Sequence, residues 1–126
     1  MYAKDLSDLV RTVKQSIDCK STGSTLLYIP PVPQNLYLDQ LRIVATIINT
    51  VTVSPTITIG NNSPNYDNLI GATSLTSLTG VGMVMRLAPA PTYTYVGGGV
   101  GLYLKVTTAA TATSFTIDCH IKGDLF

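Results

Sequence analysis

Phe115-Thr116-Ile117-Asp118-Cys119-His120-Ile121-Lys122 alternates without a break. Phe115, Ile117, Cys119 and Ile121 fall on one side, and Thr116, Asp118, His120 and Lys122 on the other. A period of two marks a β-strand with one buried face and one wet face. The same alternation separates the single histidine from one of the two cysteines, because neighbouring strand residues point to opposite sides of a sheet. A cysteine nucleophile needs its histidine within about 3 Å, so Asp118-Cys119-His120 reads as scaffold. A zinc site built from Cys19, Cys119 and His120 fails on the same geometry and lacks a fourth ligand.

The composition agrees with a sheet protein. The 126 residues suffice for one core, and threonine is abundant, while glutamate and tryptophan are missing and every acidic residue is an aspartate. Threonine and valine favour strands, and a shortage of glutamate and lysine disfavours long solvated helices. Charged residues make up 12 % of the chain, about half the usual share. A surface so poor in charge suits a chain packed against copies of itself or other subunits. The net charge of +1 argues against nucleic acid, which needs a dense basic patch. The uncharged run from Ile43 to Tyr66 is broken by Asn49, Pro55, Gly60, Asn61, Asn62 and Pro64, so it reads as strand and loop and no membrane partner is expected. Met1-Tyr2-Ala3-Lys4-Asp5 lacks the basic start and apolar core of a signal peptide. Two cysteines make no disulfide framework, and two reduced thiols are expected, close together if the first and last strands pair.

Outward from the closing segment, strands are expected at Ser24–Ile29, Tyr37–Asn49, Val51–Ile59, Met83–Leu87 and Leu102–Val106. In the second of these, Leu41, Ile43, Ala45 and Ile47 share a face; in the third, Pro55 demotes part of the run to an edge or bulge. Gly97-Gly98-Gly99-Val100-Gly101 reads as a flexible hairpin or crossover, with no lysine or helix after it to make a phosphate loop. Leu6, Leu9, Val10, Val13 and Ile17 follow helical spacing, although Val13, Ile17 and Cys19 also fit a strand. Residues 1–18 are therefore read as a charged arm or short helix leading into a strand, and residues 19–126 as one β-sandwich of jelly-roll-like type.

The polar segment Gly60-Asn61-Asn62-Ser63-Pro64-Asn65-Tyr66-Asp67-Asn68 is dense in turn formers. Its oxygens suggest calcium, but Asp67 is its sole carboxylate, and Ca²⁺ sites usually bring several. A loop held by side-chain-to-backbone bonds is the better reading. Tyr66, Tyr93 and Tyr95 are candidates for stacking on sugar or anchoring an interface, against the plainer reading of half-buried tyrosines. No carboxylate pair is placed for glycosidase work. Neither an enzyme nor a cofactor is expected.

Cys19–Pro30, Thr58–Ile70 with Ala72–Leu78, and Val106–Thr113 with the closing strand are three stretches that resemble small β-sandwich virion proteins of tailed bacteriophages. Cys19-Lys20-Ser21-Thr22-Gly23-Ser24-Thr25-Leu26-Leu27-Tyr28-Ile29-Pro30 is similar to their first strand, and Thr58–Ile70 with Ala72–Leu78 to a loop read as SIGTNSPNYNNI…ATALTGL. Val106–Thr113 and the closing strand are similar to their ending. Pro31-Val32-Pro33-Gln34-Asn35 departs from the glycine-containing turn of that family, and residues 1–18 have no counterpart in it. The resemblance implies a virion structural component, and the first reading drawn from it is a capsid decoration (cement) protein, trimeric, bridging major capsid subunits on the outer shell. The partner-binding residues expected are Lys4, Asp5, Asp8, Arg11 and Lys14 in the arm, and Asn61, Asn62, Tyr66 and Asp67 in the loop. The alternative is a tail or fibre component that binds host glycan; a cellular adhesion or scaffold module is the third.

Overall fold

A computed structural model describes residues 10–89 and 95–126. Its strands are β1 (Val10–Asp18), β2 (Gly23–Tyr28), β3 (Leu36–Asn49), β4 (Thr56–Gly60), β5 (Ile70–Ser74), β6 (Val84–Leu87), β7 (Tyr95–Val96), β8 (Leu102–Thr108) and β9 (Ser114–Leu125). They form two antiparallel sheets. One has the order β1-β9-β3-β6, with β7 also paired to β3, and the other has the order β2-β8-β4-β5. The expected all-β sandwich is what the chain builds. The connections β1–β2, β2–β3, β3–β4, β5–β6, β7–β8 and β8–β9 cross from one sheet to the other.

The alternation that opened the reading runs the length of β9. Phe115, Ile117, Cys119, Ile121 and Leu125 are buried, while Thr116, Asp118, His120 and Lys122 lie on the outer face. They pack with Leu36, Leu38, Leu41, Ile43 and Ala45 of β3 against Leu102, Leu104, Val106, Ile57 and Ile59 of the facing sheet. β9 is central, with β1 on one side and β3 on the other.

β3 departs from a single alternation. Its register against β9 shifts between Leu38 and Gln40 and again between Ala45 and Ile47. Each bulge adds a residue and reverses which face the next side chains meet. Leu36 and Leu38 are therefore buried at even positions and Leu41, Ile43 and Ala45 at odd ones, whereas Ile47 is 47 % exposed and the half-buried residue is Ile48. Ile47 does not belong to the core face as expected.

The N-terminal expectation also changes. Val10–Asp18 is a strand paired with β9 from Val10↔Asp124 to Asp18↔Thr116. The sheet thus begins before the boundary placed at residue 19. The helical spacing of Val10, Val13 and Ile17 yields because Val13 and Ile17 share one strand face, and a full antiparallel ladder on β9 outweighs a weak local preference. Residues 1–9 lie outside the described residues.

Pro55 acts as expected: β4 starts directly after it, and Val53 makes an isolated bridge to Thr111. The glycine-rich segment between β7 and β8 is pinned instead of free. Gly98 N–H donates to Asn35 Oδ1 (3.1 Å) and Gly99 N–H to the Pro30 carbonyl (2.8 Å). A Cβ on Gly98 would collide with the Gln34 carbonyl oxygen.

The first and last strands pair, yet the cysteines do not meet. Gln15 is the residue opposite Cys119, and Cys19 N–H donates to the Phe115 carbonyl (2.8 Å). Four residues along a strand separate them by about 13 Å. Both thiols are free and buried. Burial pushes Cys119 up to about 12, and burial plus the nearby Asp18 carboxylate does the same for Cys19. At pH 8 the native protein is expected to resist a thiol-reactive dye for hours, and to release two equivalents once unfolded. Rapid labelling without denaturant would contradict this packing.

Candidate interaction site

The expected partner-binding residues fall in two separate places. Lys4, Asp5 and Asp8 lie outside the described residues. Arg11 and Lys14 belong to β1, Arg11 opposite Gly123 and Lys14 opposite His120. Lys14 Nζ stands 4.0 Å from Asp118 Oδ2, at the limit of an ion pair, and is largely exposed. Asn61, Asn62, Tyr66 and Asp67 do come together, in the loop between β4 and β5. That loop leaves the other sheet, so Lys14 and the loop make no common site.

The loop is built by its own amides. Asn62 Oδ1 accepts from the Asp67 N–H (2.9 Å) and the Asn68 N–H (3.1 Å), and Asn62 Nδ2 donates to Asp67 Oδ1 (2.7 Å). Asn61 N–H donates to Asn68 Oδ1 (3.0 Å), and Asn68 Nδ2 returns a bond to Asn61 Oδ1. Tyr66 sits at φ 48°, with its N–H on the Asn62 carbonyl (2.7 Å), in the left-handed region rarely used by a bulky residue. Its ring stacks on Tyr103 of β8, with centroids 4.5 Å apart. Thr58 Oγ1 donates to the Asn65 carbonyl (3.2 Å) and Lys105 Nζ to the Pro64 carbonyl (3.1 Å). These bonds engage Asn61 Oδ1, Asn62 Oδ1, Asp67 Oδ1 and Asn68 Oδ1 within the loop itself. The structural reading of the loop is the one observed, and Tyr66 has spent one ring face on Tyr103. Tyr93 lies outside the described residues.

Exposed apolar side chains gather at both ends of the first sheet. At one end Tyr37 pairs with Tyr95 across β3 and β7, and Tyr95 meets Phe126 edge-on at 6.2 Å. All three are exposed. At the other end Ile47, Val81, Met83 and Val84 are exposed beside one another on β3, β6 and the turn before β6. A groove of about 440 Å³ runs between the edge strands β5 and β6, lined by Leu69, Ile70, Thr73, Arg86 and Leu87.

Sequence reasoning missed a feature on the outer face of the first sheet. Lys14 is opposite His120, His120 opposite Arg42, and Arg42 opposite Arg86. Only His120 of this row was visible, on the wet face of β9. The remainder depended on registers set by two bulges in β3, for which one sequence carries no local signal.

These features define an all-β sandwich whose surfaces are suited to contact and whose polar loop is self-satisfied. No protein-family model matches the chain, and neither does any curated protein. A solved structure does. A chain described as the cyanophage Pam1 capsid asymmetric unit superposes with a TM-score of 0.58, over 98 % of this chain and 91 % of that one, at 11 % identity. At that identity the likeness is one of fold.

Proposed function

We propose that this chain is a structural component of a phage particle and that it works by binding alone. The observation that carries the proposal is the fold-wide likeness to a chain of a phage capsid unit. Within that reading the chain is a decoration (cement) protein. It sits on the outer shell as a trimer and bridges major capsid subunits. Three features support this. Charge is scarce, apolar side chains stand exposed at two ends of one sheet, and the Asn-rich loop is held rigid before any partner arrives. A rigid loop loses little entropy on docking, and weak contacts repeated over a lattice add avidity.

A tail or fibre component that binds glycan is the second reading. It is favoured by the exposed aromatic group Tyr37, Tyr95 and Phe126, since aromatic faces and edges suit sugar stacking. Mass spectrometry of purified particles from the genome encoding the chain separates a virion protein from a non-virion one. A glycan-dependent rise in melting temperature, lost in Tyr95→Ala, would favour the fibre reading over the cement one.

A further inference from the structure

The outer face of the first sheet carries charge in an unusual arrangement. Lys14, His120, Arg42 and Arg86 lie side by side on β1, β9, β3 and β6, and adjacent strands are about 4.8 Å apart, so the row spans about 14 Å. Lys122 stands next to it on β9, opposite Thr12 and Gln40. Four of the eight Lys and Arg residues of the chain thus share one face. Among the described residues, Arg42, Arg86 and Lys122 have no carboxylate within ion-pair distance, and Lys14 reaches Asp118 only at 4.0 Å. A shallow depression of about 150 Å³ runs between Gln40, Arg42, Arg86 and Leu87, with Asp39 at its rim. Like charges directly opposite on a sheet are destabilising, so Arg42 beside Arg86 is a cost the fold carries unless an anion covers the pair.

We infer that this face docks an acidic polypeptide segment of a partner protein, whose carboxylates lie across the Lys14–His120–Arg42–Arg86 row. Guanidinium forks bind carboxylates in pairs of parallel hydrogen bonds. The row is short, and Asp118 and Asp124 on β9 lie to either side of it along that strand, which confines an anion to the row itself. Two or three carboxylates fit within its length. The inference stands on charge complementarity and does not need the capsid reading. If that reading holds, the acidic segment belongs to a neighbouring shell subunit.

His120 supports the placement and reports on it. Burial and the flanking Arg42 hold its pKa below the usual histidine value, with Lys14 adding to this and Asp118 opposing it. Lys122 shares its face, and Thr12 and Gln40 are neutral neighbours. A carboxylate seated on the row favours the charged imidazole and so raises that pKa. As the single histidine of the chain, it gives one unambiguous NMR signal.

The test titrates the full chain with a hexa-aspartate peptide, a hexa-asparagine peptide and a short single-stranded DNA, following the His120 ring resonances and the affinity. Hexa-aspartate is expected to bind, to raise the His120 pKa, and to weaken severalfold between 50 and 200 mM salt. The Arg42→Gln/Arg86→Gln variant is expected to lose at least tenfold in affinity while melting no lower than the parent, because a like-charge pair has been removed. Lys14→Gln serves as the second variant should the double one misfold. Equal binding by the variants, no hexa-aspartate binding, or tighter binding of DNA than of peptide would overturn the inference.

Discussion

Gly123→Ala is expected to cost about 3 kcal/mol and to lower the melting midpoint by about 10 °C. Gly123 lies in β9, the central strand of the first sheet, opposite Arg11 on β1 and Leu38 on β3. A Cβ there would overlap the Tyr37 carbonyl oxygen and come within 3.1 Å of the Tyr37 carbonyl carbon and 2.9 Å of Leu36 Cδ1. Two of those atoms are backbone, so no rotamer change relieves the clash. The end of β3 would have to move, and with it the pairing of Leu36 and Tyr37 to β7 and the Asn35–Phe126 backbone bonds. The cause is space alone, since Gly123 has no positive φ. Gly80, with nothing within 4 Å of its Cβ position, is the control, and alanine there is expected to change the midpoint by no more than about 2 °C. Thermal melts followed by circular dichroism decide it. Equal midpoints for the two variants would mean that β9 and β3 lie farther apart than described.

Gly60→Ala should cost about 3 kcal/mol by a different route. Its Cβ would overlap Asn68 Oδ1 and stand 2.7 Å from both Asn62 Oδ1 and the Tyr66 carbonyl carbon. The two amides could turn away only by releasing the Asp67, Asn68 and Asn61 N–H groups they accept from. Each lost bond is worth about 1 kcal/mol, and Tyr66 would lose the support that keeps it left-handed against Tyr103. The variant should therefore melt lower and also become sensitive to proteolysis between residues 61 and 68. A variant that melts lower yet keeps the loop protected would contradict the reading that the amides hold the loop.

How much was readable in advance depends on whether a residue's environment is local. The closing strand is flanked by β3 along its whole length and by β1 from Thr116 to Asp124, and its face assignment survived intact. The Asn-rich loop was legible for a similar reason: the bonds of its amide side chains span at most seven residues. β1 was half legible, since Val13 and Ile17 fit both periods and only the ladder on β9 decides between them. Ile47 was misplaced by a bulge that depends on how β3 meets β9. The basic row was invisible because it exists only across four strands distant in sequence. Surfaces made by register are the last thing a single sequence discloses.

The central claim is that this sandwich binds a phage shell, and cryo-electron microscopy of shells stripped of accessory proteins, with and without the added full chain, tests it most directly. The account predicts saturable extra density of sandwich size at fixed lattice positions on the outer surface, contacting more than one major capsid subunit. Shells that stay bare at saturating protein, while the same sample binds tail fibres or glycan, would contradict it.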